Sequence, residues 1–216
     1  VNAEAVGIVA ACAAKCDATL IHYSTDYVFD GTQTTPYKED DQPNPVTVYG
    51  QSKLLGEKLI RESNCRFFIL RTSWVISPTG NNFVKTMVKL STMKTELGVV
   101  SDQYGSPTSA SDIARVIVEI CQACHAENQG QWWGLYHYSG FPVTTWHQLA
   151  VAAISEAKKQ EFDVVTDKIS AIRTEDYPTP IKRPTNSAFD TTKVQKTFNI
   201  QQSAWQDDLV AVIAQL

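Results

Sequence analysis

ATLIHYSTDYVFDG (residues 18–31) begins as a short apolar run rich in β-formers and ends in a turn signal. Residues 18–24 therefore read as a buried strand, and Asp30-Gly31 opens a loop that also holds three prolines. Upstream, VNAEAVGIVAACAAK (residues 1–15) reads as a helix. Downstream, a second helix carries Tyr49, Lys53, Leu54, Leu55, Leu59 and Ile60, whose apolar members recur at helical spacing and are expected to face the sheet. RFFILRT (residues 66–72) is the next clear strand, and its C-terminal end delivers Ser73 and Trp74 to the same side of the sheet as Thr25. Strand, helix, strand in this order implies a parallel βαβ unit with a right-handed crossover.

Tyr49 and Lys53 stand four residues apart in YGQSK. On a helix they project from one face, so the ammonium is expected to favour the phenolate and draw the tyrosine's pKa down from about 10 toward the range useful to a general acid. Thr25, at a strand's C-terminal end where open α/β sheets bind ligands, would hydrogen-bond the same substrate oxygen that Tyr49 protonates. Three groups converging on one carbonyl is the arrangement that proton-coupled hydride transfer needs. The structural alternative is a solvated tyrosine–lysine pair on a helix surface, since so short a pattern recurs by chance. Asp26 either orients Thr25 or caps the turn that follows. His22 lies in the buried strand and reads as a hydrogen-bonded core histidine.

Beyond Pro78 the chain alternates short strands and helices. Residues 111–124 form a helix with Ile113, Ala114, Ile117, Val118 and Cys121 on its apolar face, and residues 134–138 form another strand. Thr145 with Gln148 is a capping box opening a helix through Lys159, and Ser203 with Gln206 repeats the device before WQDDLVAVIAQL. Residues 174–190 contain Pro178, Pro180 and Pro184, too many breakers for a helix, so this stretch reads as extended and irregular. Trp132 and Trp133 read as core or interface residues.

The chain has 216 residues, 43% of them hydrophobic, and a net charge of −4, enough for one substantial core or one and a half domains. With no basic run, nucleic acid is not an expected partner. The longest apolar run is far short of a membrane span and no signal peptide precedes the first helix, so a cytoplasmic location without a membrane is expected. Five cysteines, Cys12, Cys16, Cys65, Cys121 and Cys124, are an odd count without scaffold spacing and should be reduced thiols. Cys121, Cys124 and His125 with Cys12 and Cys16 have the look of metal half-sites, but both pairs fall in helical patterns where buried cysteine is common, and no metal is expected.

STDYVFDG, Pro36-Tyr37, Glu39, YGQSKLLGE, RTSWV, GNNFVKTM, DQYGSPT, WWGLYHYSG, YPTP and RPTNS follow one another through most of the chain. In that order they resemble the dTDP-4-dehydrorhamnose reductase family of the extended short-chain dehydrogenase/reductases. The resemblance implies an α/β fold, a partial Rossmann-like parallel sheet flanked by helices with a smaller C-terminal α/β substrate-binding region. Residues 1–140 would be the C-terminal part of the dinucleotide-binding domain with interleaved substrate-binding segments, and 141–216 mainly substrate-binding. It implies Thr25, Tyr49 and Lys53 as catalytic residues, and Tyr49 and Lys53 as contacts to NADPH or NADH. Thr25, Asp26, Trp74, Asn82, Phe83, Gln103, Gly105 and Arg183 would contact a dTDP-sugar along a substrate cleft. Arg183 is also physically motivated, because a pyrophosphate is well matched by a guanidinium on a proline-stiffened loop. Its alternative is a surface ion pair, and that of Trp74 is packing. A homodimer is the expected assembly.

The family opens with a strand, a GxxGxxG turn and a helix that hold the cofactor pyrophosphate. The ten glycines here never take that spacing, so the resemblance implies a truncated or partial sequence, inactive alone. A second reading is a non-catalytic binding subunit similar to the regulatory β subunit of methionine adenosyltransferase, whose resemblance fades after the second strand.

Overall fold

The computed structural model describes residues 1–127, 132–177, 179 and 183–216, with the backbone alone for 125–127. The element order is α1 (Glu4–Lys15), β1 (Thr19–Thr25), α2 (Val48–Glu62), β2 (Arg66–Thr72), β3 (Val75–Ile76), α3 (Phe83–Ser91), β4 (Glu96–Val100) and β5 (Tyr104–Gly105). There follow β6 (Thr108–Ser109), α4 (Ala110–Glu127), β7 (Gly134–His137), β8 (Thr144–Thr145), α5 (Trp146–Lys159), β9 (Lys168–Ile172), α6 (Thr192–Phe198) and α7 (Trp205–Ile213). Pro178, Pro180 and the His125 side chain lie outside the described residues.

The chain divides into two compact units, each drawn from three stretches. The first comprises Val1–Ser73, Ile117–Tyr138 and Ile181–Gln201, and the second Trp74–Val116, Ser139–Pro180 and Gln202–Leu216. Pairing in space, not order in sequence, sets this division. β7 joins β2 in register, and Phe189 bridges Tyr37, which draws both late stretches into the first unit.

The first unit is built on a parallel sheet of order β1-β2-β7. β1 and β2 match residue for residue, so Thr25 and Thr72 end the two strands side by side. Ile69 and Leu135 of the sheet pack with Ile60 of α2, Ala10 of α1 and Cys65. A smaller cluster joins Val28, Phe29, Tyr37 and Phe189, with the Phe29 and Tyr37 rings stacked at 4.1 Å. Helix α2 starts at a Thr47 cap whose hydroxyl accepts the Gly50 N–H at 3.0 Å, satisfying a backbone donor that the first turn leaves without an intrahelical partner. Its apolar stripe is less complete than expected, for Leu55 is exposed and the buried positions include Gly50, Gly56 and Glu57.

The second unit packs α3, α5 and α7 around Val84, Val88, Leu149, Ala153, Trp205 and Leu209. Short pairs β3-β6, β4-β9 and β5-β8 frame this core. The Thr145–Gln148 capping box is present in full. The one expected at Ser203 is not: α7 starts after Ala204, without a side-chain cap. A bridge between Phe141 and Ala204 holds this stretch extended, the Ser203 carbonyl accepting from the Phe141 N–H and the Trp205 N–H donating to the Phe141 carbonyl. All five cysteines are free thiols, and no group of three metal-ligating side chains occurs among the described residues. No helix among them is long and apolar enough to cross a membrane.

Candidate active site

Thr25 closes β1 buried, at the edge where the strand turns into residues 26–28. Its oxygen caps that turn by accepting the Tyr27 N–H at 3.3 Å, and its hydroxyl donates to the Asp26 carboxylate at 2.9 Å. Asp26 is thus held by Thr25 rather than capping the turn itself. Its second oxygen accepts from the Ser187 hydroxyl at 2.6 Å. Burial pushes the Asp26 pKa up to about 6, while the Ser187 and Thr25 hydrogen bonds pull it down.

Tyr49 sits in the first turn of α2, 48% exposed. Its ring meets Tyr27 edge-on at 5.7 Å. Gly50 makes this approach possible, because a Cβ there would lie 2.0 Å from the Tyr27 carbonyl oxygen. The expectation that Lys53 lowers the Tyr49 pKa is corrected here. Burial raises the phenol above its ordinary value, the Thr25 hydroxyl partly offsets this, and the Asp26 charge adds to it. Lys53 is turned back instead: its ammonium donates to the Tyr23 carbonyl and stands 3.4 Å from His22 Nε2.

His22 is accordingly no core histidine but a half-buried neighbour of Lys53. Burial and the Lys53 charge lower its pKa to about 4, with Glu57 opposing, so it is neutral near pH 7 and its Nε2 accepts from the ammonium. Burial also lowers the Lys53 pKa, again against Glu57.

Glu57 and Arg71 form a buried ion pair beneath these groups, each side chain 1% exposed. Arg71 Nε and Nη2 donate to the two Glu57 oxygens at 2.8 and 2.6 Å, and the Ser24 hydroxyl donates to Oε1 at 2.5 Å. Arg71 also faces His137 Nε2 at 3.3 Å and lies 5.0 Å from the Phe29 ring centroid. His137 Nδ1 is 3.0 Å from the Tyr37 carbonyl, which requires the proton on Nδ1 and leaves Nε2 to accept from Arg71. Burial and the Arg71 charge hold its pKa down at about 3. Arg183 is exposed, and its charge acts on the Tyr27 phenol against the upward pull of burial and Asp26.

The remaining expected contacts belong to the second unit. Trp74 adopts φ 48° and stacks on Trp146 with ring centroids 3.5 Å apart and planes 10° from parallel. Gly105 serves that ring, since a Cβ there would lie 2.4 Å from Trp74 Cε2. Gln103 is buried, accepting from Trp146 Nε1 at 3.2 Å and donating to Thr174 Oγ1 at 3.1 Å. Asn82 caps α3 by accepting the Lys85 N–H at 3.2 Å and donates to the Ser77 carbonyl at 2.7 Å. Phe83 packs on Trp146 at 4.6 Å. Gly105, Gln103 and Asn82 therefore build the platform on which Trp74 rests and the cap beside it.

Ser187, Tyr27, Glu57 and Trp146 are the neighbours that sequence reading did not pick out. Glu57 carried a signal, four residues beyond Lys53 on one helix face. Ser187 carried none, because its partner lies 161 residues away.

A parallel sheet flanked by helices, with threonine, tyrosine and lysine at a strand's C-terminal end, defines a protein of the extended short-chain dehydrogenase/reductase class. Residues 1–216 match the RmlD substrate binding domain, and the chain belongs to that family. It is 43% identical over 206 residues to a dTDP-4-dehydrorhamnose reductase of Aggregatibacter actinomycetemcomitans, covering 95% of this chain and 70% of that protein. The Escherichia coli K12 reductase is 40% identical over 206 residues, covering 95% of this chain and 68% of its own. Among solved structures, the Bacillus anthracis reductase in complex with NADP superposes with a TM-score of 0.88 at 32% identity, over 100% of this chain and 72% of that one. Because the match runs through RTSW, GNNF and DQYGSPT to the last residue, the alternative of a regulatory binding subunit is not supported.

Proposed function

We propose that this chain serves the NAD(P)H-dependent reduction of the C4 ketone of dTDP-4-dehydrorhamnose to the alcohol of dTDP-L-rhamnose. The observation that carries this reading is the placement of Tyr49 in the first turn of α2, its ring against Tyr27 just after Thr25 ends β1, with Lys53 one turn along the same helix. The residues present fit the nicotinamide-ribose end of the cofactor: Lys53 has three N–H donors, of which one meets the Tyr23 carbonyl and one faces His22, leaving one to reach a ribose hydroxyl beside Tyr49. When bound, a reduced nicotinamide supplies the hydride. Tyr49 gives its proton to the developing alkoxide, and Thr25 offers a hydroxyl at the end of β1 to the same oxygen. Trp74, held flat by Trp146, offers a face for a sugar or base, and Arg183 a guanidinium for the pyrophosphate.

Substituting Tyr49→Phe in a full-length parent tests the reading. Turnover, followed as NADPH oxidation with dTDP-4-dehydrorhamnose, should fall at least about 10²-fold, while calorimetric dTDP binding stays unchanged. Turnover within about threefold of wild type would remove Tyr49 as the acid.

A further inference from the structure

RPTNS (residues 183–187) runs alongside residues 31–37, the stretch that leads out of the turn after Thr25. Asn186 joins the two. Its side-chain amide donates to the Gln33 carbonyl at 2.9 Å and to the Thr35 carbonyl at 3.1 Å, and its side-chain oxygen accepts the Ala188 N–H at 3.0 Å. Its backbone N–H donates to the Gly31 carbonyl at 3.1 Å. Both amide hydrogens are therefore engaged, and each of these bonds goes to a backbone group.

The chain on either side of Asn186 leads to the reactive region. Before it, buried Pro184 packs on Gly31, which has φ 76°; a Cβ at Gly31 would lie 2.4 Å from Pro184 Cβ, so only glycine admits this approach. Arg183 precedes that proline, exposed, and its charge reaches the Tyr27 phenol. After Asn186, the buried Ser187 hydroxyl donates to Asp26 at 2.6 Å, and Asp26 accepts from Thr25 at 2.9 Å. A cation open to solvent is thus tied, through Pro184, Asn186 and Ser187, to the end of β1.

We propose that Asn186 is a positioning residue for nucleotide-sugar binding, clamping the stem of Arg183 onto residues 31–35 so that the guanidinium waits in place for a pyrophosphate. The proposal rests on the reductase reading. A guanidinium on a loose stem keeps its charge and its donors, but the backbone beneath it must be ordered as the ligand arrives, and that entropy is subtracted from affinity. With the stem fixed beforehand, only the arginine side chain is left to order. Asn186 needs no contact with the ligand to act in this way.

The test is a double-mutant cycle on dTDP affinity, measured by calorimetry in the full-length parent. Asn186→Asp keeps the size and the oxygen that accepts from Ala188, but turns a carboxylate oxygen toward two carbonyls that have lost their donor. It should weaken dTDP binding about tenfold, and Arg183→Ala at least as much. Added to Arg183→Ala, Asn186→Asp should weaken binding by less than about twofold, because the residue through which it acts is gone. Turnover with dTDP-4-dehydrorhamnose should show the matching split: KM about tenfold higher in Asn186→Asp, kcat within about twofold of wild type. Asn186→Ala, which introduces no charge, is the second variant. Without ligand, its ¹⁵N heteronuclear NOE should fall at the Arg183 and Thr185 amides and stay unchanged along β2, which separates a loosened stem from a damaged fold.

Equal losses of dTDP affinity from Asn186→Asp with and without Arg183 would overturn the proposal. So would Arg183 and Thr185 amides as ordered in Asn186→Ala as in wild type, a loss of order that spreads along β2, or an Arg183→Ala variant that binds dTDP as wild type does. If the cycle couples as expected yet no dTDP-sugar ketone is reduced, the reductase reading fails and the clamp stands.

Discussion

Replacing Glu57 by glutamine should destabilise the chain far more than the loss of one hydrogen bond. In the native protein Glu57 takes two donors from Arg71 and one from Ser24, and both charged side chains are sealed from water. An amide in its place keeps the shape but leaves the guanidinium without a counter-charge. Among the described residues, the neutral His137 ring and the face of Phe29 then remain facing Arg71. Breaking a buried pair from one side costs about 3–5 kcal/mol. With a urea slope of about 2 kcal/mol/M, the unfolding midpoint at pH 7 should drop by about 2 M. The double replacement Glu57→Leu with Arg71→Met removes both charges and should recover most of that loss, since apolar groups of similar volume often replace a buried pair at little cost. A drop below about 0.5 M in the single variant, or a double variant as unstable as the single one, would refute the reasoning.

Other consequences follow from the same unit. His137 is held at about 3 against an ordinary 6.5, so the unfolded chain binds the proton more readily; its stabilising contribution is complete above about pH 6.5 and is lost as pH falls toward 3, visible as urea midpoints declining over that window in wild type. Asp26 has the opposite sign: its pKa is raised from 3.8 to about 6, so stability is lost as pH rises through that interval. Asp26→Asn should therefore be more stable than wild type at pH 8, by up to about 3 kcal/mol, and the two should converge toward pH 4. Gly50→Ala places a methyl 2.0 Å from the Tyr27 carbonyl and must push α2 away from the turn. Its unfolding free energy should fall by about 1–3 kcal/mol, and turnover of the full-length parent should fall with it as Tyr49 moves with the helix.

The framework of the first unit is readable from local signals because β1, α2 and β2 are each announced by their own residues. The apolar run of residues 66–72 coincides with β2, and Thr145 with Gln148 marks the start of α5 correctly. What escaped is whatever depends on distant pairing. Residues 181–201 return to the first unit through the Tyr37–Phe189 bridge, and the α7 cap fails because Phe141, more than sixty residues earlier, already holds Ser203 and Ala204 extended. The chemistry shows the same divide. Thr25, Tyr49 and Lys53 are visible as a motif, yet the direction of the Tyr49 pKa depends on burial and on Asp26, and the lysine's orientation depends on the Tyr23 carbonyl. Spacing places Lys53 on the right face without saying where its ammonium turns.

That face does more than carry chemistry. Tyr49, Lys53 and Glu57 follow one another at four-residue intervals along α2. Because each residue advances about 100° around a helix, each interval overshoots a full turn by about 40°, and the three side chains drift by about 80° from first to last. The drift runs from solvent to core: Tyr49 is 48% exposed, Lys53 half-buried and Glu57 1% exposed. One stripe thus begins with a phenol that can meet a substrate, passes through an ammonium anchored to the β1 backbone, and ends in a carboxylate locked to β1 and β2 through Ser24 and Arg71. Glu57 opposes the fall in the pKa of both Lys53 and His22. A change at position 57 is therefore expected to register at the reactive end of the stripe: in Glu57→Gln the His22 titration should move still further below about 4, a direction readable by NMR. An unmoved His22 titration would mean that the carboxylate anchors the helix without tuning the groups above it.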